Sequence, residues 1–483
     1  PTLLAIPFFI MSGAVMSRGH ISQRLVDFAQ ALIGWVPGGM AMSGVIACML
    51  FAAISGSSPA TVVAIGSMMG PALIAAGYQE RFSHGLLTSA GSLGILIPPS
   101  IPMIVYPIVN QGAVIEVERL FASGFGPGLV MGSILIGYSF YQGLRDKVPT
   151  EAFRFKKLAA ATRDGFWALM FPILILGGIY GGIFNAVEAS AISVIYAVVV
   201  EVWLHRALKL KDVPGIFGET GVFLGSFLVI MVMALALGEF LEKEEIPARM
   251  VEWIQSKDLA YWQFLLLLNV MLLAVGMMMD ILSAMFVFVP LLAPIAASMG
   301  VDPMHFGIIF IVNLEIGYLT PPVGLNLFVA SALYEKGLGH VIRSVAPFVG
   351  LMLIGLAIIT WYPQVSIGLG NAIMGGDPNE MLEEDEEGNT GMPTMEEMMM
   401  EAMGGDDWDD EEEEEPEEDE EEVLDGEIEG KTEEEPPTSE CARLRHAGSR
   451  DRLARSQWRT PFSRGNTVRR ASTTWSGRST WRE

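Results

Sequence analysis

A proline pair interrupts two of the most apolar stretches of this chain in the same six-residue setting, Gly94-Ile95-Leu96-Ile97-Pro98-Pro99 and Gly317-Tyr318-Leu319-Thr320-Pro321-Pro322. Two successive prolines remove two backbone donors and push the preceding residue out of the helical region, so each segment must break there. The flanking stretches are apolar enough to cross a bilayer, where freed amides and carbonyls persist only if they line a protein-enclosed or watery site. A duplicated break at that depth predicts a duplicated ion or substrate site.

The offset of 223 residues between the breaks also pairs Pro71 with Pro294 and Gly77 with Gly300 without a gap, so the duplication is an internal repeat. It sets Ser57, in Ile54-Ser55-Gly56-Ser57-Ser58-Pro59-Ala60-Thr61, opposite Asp280, in Gly276-Met277-Met278-Met279-Asp280-Ile281-Leu282-Ser283. Two polar tips thus occupy equivalent places in apolar surroundings.

Apolar runs of about twenty residues, the length that spans a bilayer, recur to about residue 362, which predicts an all-α polytopic membrane protein. The formal charge of −25 misleads. Residues 377–440 carry net −31 and residues 441–483 carry +9, which leaves −3 for residues 1–376 and excludes a basic nucleic-acid surface there. Cys48 and Cys441 are too few for a disulfide framework or a zinc site. The chain opens at Pro1, apolar from Leu3 to Met16 without a basic head, so one or more preceding spans are expected.

Loop charges orient the spans. Residues 1–39 read as a scaffold span and an interfacial helix, and residues 40–143 as a first repeat: a re-entrant hairpin at 40–76, a broken helix at 83–110 and a span at 121–143. The latter ends at Arg145, Lys147, Arg154, Lys156 and Lys157, a loop the positive-inside rule makes cytoplasmic. Residues 144–261 hold basic loops, scaffold spans and interfacial helices. Their second basic loop, His205 to Lys211, agrees with the first anchor. Residues 262–362 form the second repeat, with a hairpin at 262–299, a broken helix at 305–333 and a span at 343–362. Lys336, His340 and Arg343 place the end of that broken helix in the cytoplasm. The first broken helix then runs outward and the second inward, the inverted-repeat architecture of alternating-access transporters. Residues 363–440 read as an acidic disordered tail. The Arg-rich stretch 441–483 reads as out-of-frame translation and is assigned no function.

The first tip gathers hydroxyls from Ser55, Ser57, Ser58 and Thr61, oxygen ligands of the kind a hard cation such as sodium takes, although hydroxyls also bond back to their own helix. Asp280 is the sole acid between Tyr261 and Gly300, a position that suits ion binding or a cap on the returning arm. Glu315 resembles it but could face a neighbouring helix. Thr320 and Asn326 flank the second break. Lys243 lies in an exposed acidic loop, and His84 and His305, which open the broken helices, read as interface anchors. No nucleophile–base pairing, phosphate-cradling loop or Walker pattern is present, which argues against an enzyme and against ATP hydrolysis by this chain, and leaves an ion gradient or a partner ATPase to drive transport.

At Ser55-Gly56-Ser57-Ser58-Pro59-Ala60-Thr61-Val62, at Leu93 to Ile104 and at Leu319 to Phe328, the chain closely resembles the large membrane subunit of TRAP, or tripartite ATP-independent periplasmic, transporters. The resemblance covers residues 1 to about 362. It implies a multi-pass protein of the bacterial inner membrane that imports organic anions, such as C4-dicarboxylates or sugar acids, driven by sodium and without other cofactors. A periplasmic substrate-binding protein and a small four-helix membrane subunit are the implied partners, and elevator-like movement the implied mechanism. It further implies one sodium site at Gly56, Ser57, Ser58, Gly94, Ile97 and Pro98, and a second at Met279, Asp280, Gly317, Thr320, Pro322 and Gly324. Substrate contacts would come from Ser57, Ser58, Lys243, Asp280 and Asn326. The resemblance implies Arg where Lys243 stands in many relatives, and lysine lacks the bidentate fork for a carboxylate. A self-sufficient sodium-coupled divalent-anion symporter is the alternative; a channel or an intramembrane enzyme is a more distant one.

Overall fold

Both proline pairs break their helices at the same place in the fold, as a computed structural model of the chain shows. The structure describes residues 2–374 except Gln111, Val114, Glu151 and Asp258. The acidic segment from residue 375 onward and the Arg-rich stretch lie outside the described residues. Helices are the only regular elements among the described residues, and seven of them are long and apolar enough to cross a membrane, or eight if a pair bent by 64° counts as one span.

After α1 (Ala5–Arg18) and the amphipathic α2 (Ile21–Ile33), helices α3 (Gly39–Ser55) and α4 (Ser58–Ala75) form a hairpin joined by Gly56 and Ser57. Helix α5 (Glu80–Ser92) is followed by a short 3-10 turn, a non-helical stretch and α6 (Ile101–Val109), and α7 (Val117–Asp146) completes the first half. The amphipathic α8 (Phe155–Asp164), α9 (Phe166–Tyr180), α10 (Ala186–Val198), α11 (Val213–Lys243) and the short α12 (Ile246–Gln255) connect the halves. The second half repeats the first: the hairpin α13 (Tyr261–Met278) and α14 (Ile281–Ser298), the interrupted pair α15 (Pro303–Gly317) and α16 (Leu325–Leu333), and α17 (Leu338–Trp361). Helix α14 begins and ends 223 residues after α4, and α15 begins 223 residues after α5. Pro98-Pro99 and Pro321-Pro322 are both cis.

The halves meet along their interrupted helices. Ser92 on α5 donates its hydroxyl to Glu315 on α15 at 2.9 Å, and these two residues are equivalents across the repeat. A contact between equivalent positions is what a two-fold relation produces next to its axis. Every residue from Phe82 to Tyr106 and from His305 to Gly317 is buried, so the first interrupted pair and α15 form the centre of the described residues, whereas α16 is partly exposed. By contrast α11 exposes Val222, Phe223, Val229, Val232 and Met233, the apolar surface of a helix made for lipid or for a membrane neighbour.

Two sequence readings need correction. Residues 363–374 do not belong to the tail: a 3-10 turn at Pro363–Val365 and α18 (Ile367–Met374) fold back onto α7, where a Cβ on Gly370 would lie 2.6 Å from the Ser123 hydroxyl. Apolar Val365, Ile367 and Leu369 are half-buried in this segment. Neither His84 nor His305 anchors at an interface. Both are buried, and His305 lies within hydrogen-bonding distance of Ser366 and of the Thr360 carbonyl.

Candidate ion and substrate site

Each hairpin tip lies against the helix break of its own half. At the first tip Gly56 adopts a left-handed conformation (φ +57°), which ends α3 and lets Ser57 lead into α4 with Pro59 in its first turn. The tip lies so close to the break that a Cβ on Gly94 would come within 2.6 Å of the Ser57 carbonyl oxygen. Thr61 donates to that same oxygen at 2.8 Å, and its hydroxyl is 3.0 Å from the Ser55 hydroxyl. The Ser55 and Thr61 hydroxyls therefore come together, partly by bonding back to their own turn. Ser100, which sequence reasoning did not single out, donates its hydroxyl to the Ile95 carbonyl and holds the break from the other end.

At the second tip the link is Met279 and Asp280, both extended. Asp280 caps α14: one carboxylate oxygen accepts the Leu282 and Ser283 amides at 3.1 Å each, and the other accepts the Ser283 hydroxyl. The Met277 carbonyl receives the Val323 amide at 3.0 Å, and Tyr318 accepts the Ile281 amide at 2.8 Å. Gly317 lies against Gly276 so closely that a Cβ there would sit 2.6 Å from the Gly276 Cα. Tyr318 is a second residue that sequence reasoning passed over; its place inside the repeated motif was the available signal.

Helix ends converge at both meetings. The C-termini of α3 and α5, and of α13 and α15, bring carbonyl dipoles suited to a cation, and the N-termini of α4 and α6, and of α14 and α16, bring amide dipoles suited to an anion. Among the described residues, no hydrogen bond ends on the carbonyls of Ile97, Pro98, Thr320 or Pro322. The Thr320 hydroxyl is occupied by the Ile316 carbonyl at 2.9 Å, which leaves its own carbonyl as the free group.

The remaining predicted residues separate. Asn326 is fully buried and donates to the Ser58 hydroxyl at 2.6 Å, so it joins the second half to the first tip. Lys243 is exposed at the end of α11, and no hydrogen bond or ion pair among the described residues brings it to either tip. Glu315 is enclosed; one of its carboxylate oxygens takes the Ser92 hydroxyl and the other has no partner among the described residues.

Residues 1–365 match the family model of the tripartite ATP-independent periplasmic transporter DctM component. The chain is 41% identical to the C4-dicarboxylate TRAP transporter large permease protein DctM of Pseudomonas aeruginosa, over 77% of this chain and 86% of that protein. The chain belongs to this TRAP family. As a large TRAP permease subunit it is a multi-pass protein of the bacterial inner membrane. The TRAP permease relatives differ in what their names specify: the isethionate permease protein DctMQ of Oleidesulfovibrio alaskensis is 39% identical over 75% of this chain and 57% of its own length. The ectoine/5-hydroxyectoine large permease protein of Ruegeria pomeroyi is 34% identical over 76% of this chain and 86% of its own length. In fold, this TRAP subunit is similar to the crystal structure of the Alcanivorax borkumensis YdaH transporter, with a TM-score of 0.57 at 15% identity, covering 76% of this chain and 86% of that one.

Proposed function

We propose that this subunit imports an organic anion of the C4-dicarboxylate class, coupled to sodium and dependent on a periplasmic binding protein and a small membrane subunit. The observation that carries this reading is the meeting of each hairpin tip with its own break. There, unbonded carbonyls, with hydroxyls beside them, offer a hard cation oxygen ligands, and the N-termini of α4 and α6 carry no side-chain cap. A cation and a carboxylate can therefore share one site, each neutralising what the other brings into a low dielectric. Sodium would be held at Gly56, Ser57, Ser58, Gly94, Ile97 and Pro98 in the first half, and at Met279, Asp280, Gly317, Thr320, Pro322 and Gly324 in the second. Ser57, Ser58, Lys243, Asp280 and Asn326 are the proposed substrate contacts, with Asn326 also holding Ser58.

The hairpins are re-entrant on this reading, because the first tip touches a break that lies near the middle of the α5–α6 length, at half depth. Both hairpins and both interrupted helices move together across the membrane as the elevator. The relatives named for C4-dicarboxylates are 38–41% identical, which favours that class over the ectoine class, whose named relatives are 34% identical. Proteoliposomes with the small subunit test the reading. Uptake of labelled C4-dicarboxylate is expected with an inward sodium gradient and added binding protein. Uptake without the binding protein would replace it with the self-sufficient symporter.

A further inference from the structure

Away from the tips, on the face that carries the basic loops, the two halves meet in a cluster of imidazole and carboxylate. Glu80 and His84 lie one turn apart on α5, and His340 reaches them from the first turn of α17. One ligand atom from each of the three lies within 4.8 Å of the others. His84 is 3% exposed, and its Nδ1 is buried without a hydrogen-bond partner; the Nε2 of His340 is likewise buried and unpartnered. A buried ring nitrogen that meets no donor or acceptor is costly, and two in one place point to something that both can bind. The ring of Tyr334 stacks on His84 at 4.0 Å and 9°, fixing its plane, and the cluster borders a cavity of about 550 Å³ that opens between α4 and the α16–α17 link.

We propose that Glu80, His84 and His340 form a binding site for a divalent transition-metal ion of the zinc class, which clasps the two halves at their basic-loop ends. Two imidazoles and one carboxylate are a donor set that zinc accepts, with a fourth position left for water or a passing ligand. Bonds of about 2.0–2.2 Å require the three side chains to draw in by a fraction of their present spacing, a rotamer adjustment at a cluster that borders an open cavity. Lys336 tunes the site. Its ammonium lies 2.7 Å from Glu80, so it holds the carboxylate in place while adding a positive charge that opposes the ion. The ion would tie α5 of the first half to α17 of the second, and so would restrain any movement that separates those helix ends.

Tag-free, detergent-purified full-length protein tests this with cobalt as a spectroscopic stand-in for zinc. One equivalent of cobalt is expected to give the visible absorption of a low-coordinate nitrogen and oxygen site, and zinc is expected to displace it. His84→Gln and His340→Gln should each weaken binding tenfold or more, the double variant should lose the band, and Lys336→Met should bind more tightly than the parent chain. The acids of residues 377–440 supply carboxylates but no imidazole, so ions that they retain give no such band. A band that persists in the double variant, or no band in the parent protein, overturns the proposal. Matching size-exclusion profiles and thermal unfolding of the variants show that loss of the band is not loss of fold.

Discussion

The two hairpin tips solve one structural problem with different chemistry. The first turns on a left-handed glycine, Gly56, and leads into α4 through Ser57, with no side-chain cap. The second has no glycine in its link and caps α14 with the carboxylate of Asp280. The breaks show the reverse: the first enters α6 from an extended Ser100 directly after its proline pair, whereas the second has one residue more after its prolines and enters α16 from a left-handed Gly324. Their surroundings differ as well. The first break is wholly buried, whereas Pro321, Pro322, Val323 and Asp280 are exposed. A backbone device can thus be duplicated while its charge, its exposure and the place of its left-handed glycine diverge, so the two proposed ion sites should differ in how directly an ion reaches them.

The largest expected effect falls on what the tips share. Gly94→Val would drive a branched side chain into the Ser57 carbonyl, 2.6 Å from where its Cβ must lie, and Gly317→Val would do the same against the Gly276 backbone. Both should abolish transport, and if only one does, the tips are not equivalent parts of one machine. Next comes the carboxylate. Asp280→Asn keeps a good cap and removes the charge, so sodium activation should weaken about tenfold, the ~1.4 kcal/mol of one charge-assisted contact, with little change in stability. Asp280→Ala should also cost about 1 kcal/mol in unfolding for the lost cap. Equal sodium dependence in Asp280→Asn and the parent would remove the second tip from coupling.

The bond between the halves bears on stability, not on coupling. Asn326→Ala leaves the Ser58 hydroxyl without its donor in a fully buried place, at a cost of about 1–3 kcal/mol, and the double variant with Ser58→Ala should recover part of it in a double-mutant cycle of unfolding. The smallest is electrostatic. The ammonium of Lys336 beside Glu80 holds that carboxyl below its usual range. The resulting stability is present above the unfolded-state value of a glutamate and is lost as pH falls through the depressed one. Thermal unfolding of Glu80→Gln should therefore match the parent at acidic pH and fall slightly below it at neutral pH, the pair being half-exposed and screened.

The breaks were legible because proline acts locally: Pro98-Pro99 and Pro321-Pro322 forbid a helix whatever surrounds them, and the constant offset carried that inference to the tips. The all-α polytopic class followed from apolar run length alone. Asn326 was legible as a polar residue near a break but not as a partner of Ser58, because 268 residues separate them and the bond depends on how the halves dock. Ser100 and Tyr318 went unnoticed for the opposite reason: each lies inside a motif whose prolines drew attention, and their roles follow from hydroxyl geometry that residue type does not specify. The short helix from Ile367 to Met374 was absorbed into the acidic tail because composition, averaged over a window, hides eight apolar-rich residues at its edge.

The bond between Ser92 and Glu315 joins positions that a two-fold operation would make identical. Two copies of one unlinked half would have to place the same residue at both, giving either two carboxylates forced to share a proton or two hydroxyls with no charge between them. Joining both halves in one polypeptide lifts that constraint, because the genetic code can then write a donor on one side of the axis and an acceptor on the other. The centre of the protein is therefore where its two halves are free to stop being copies.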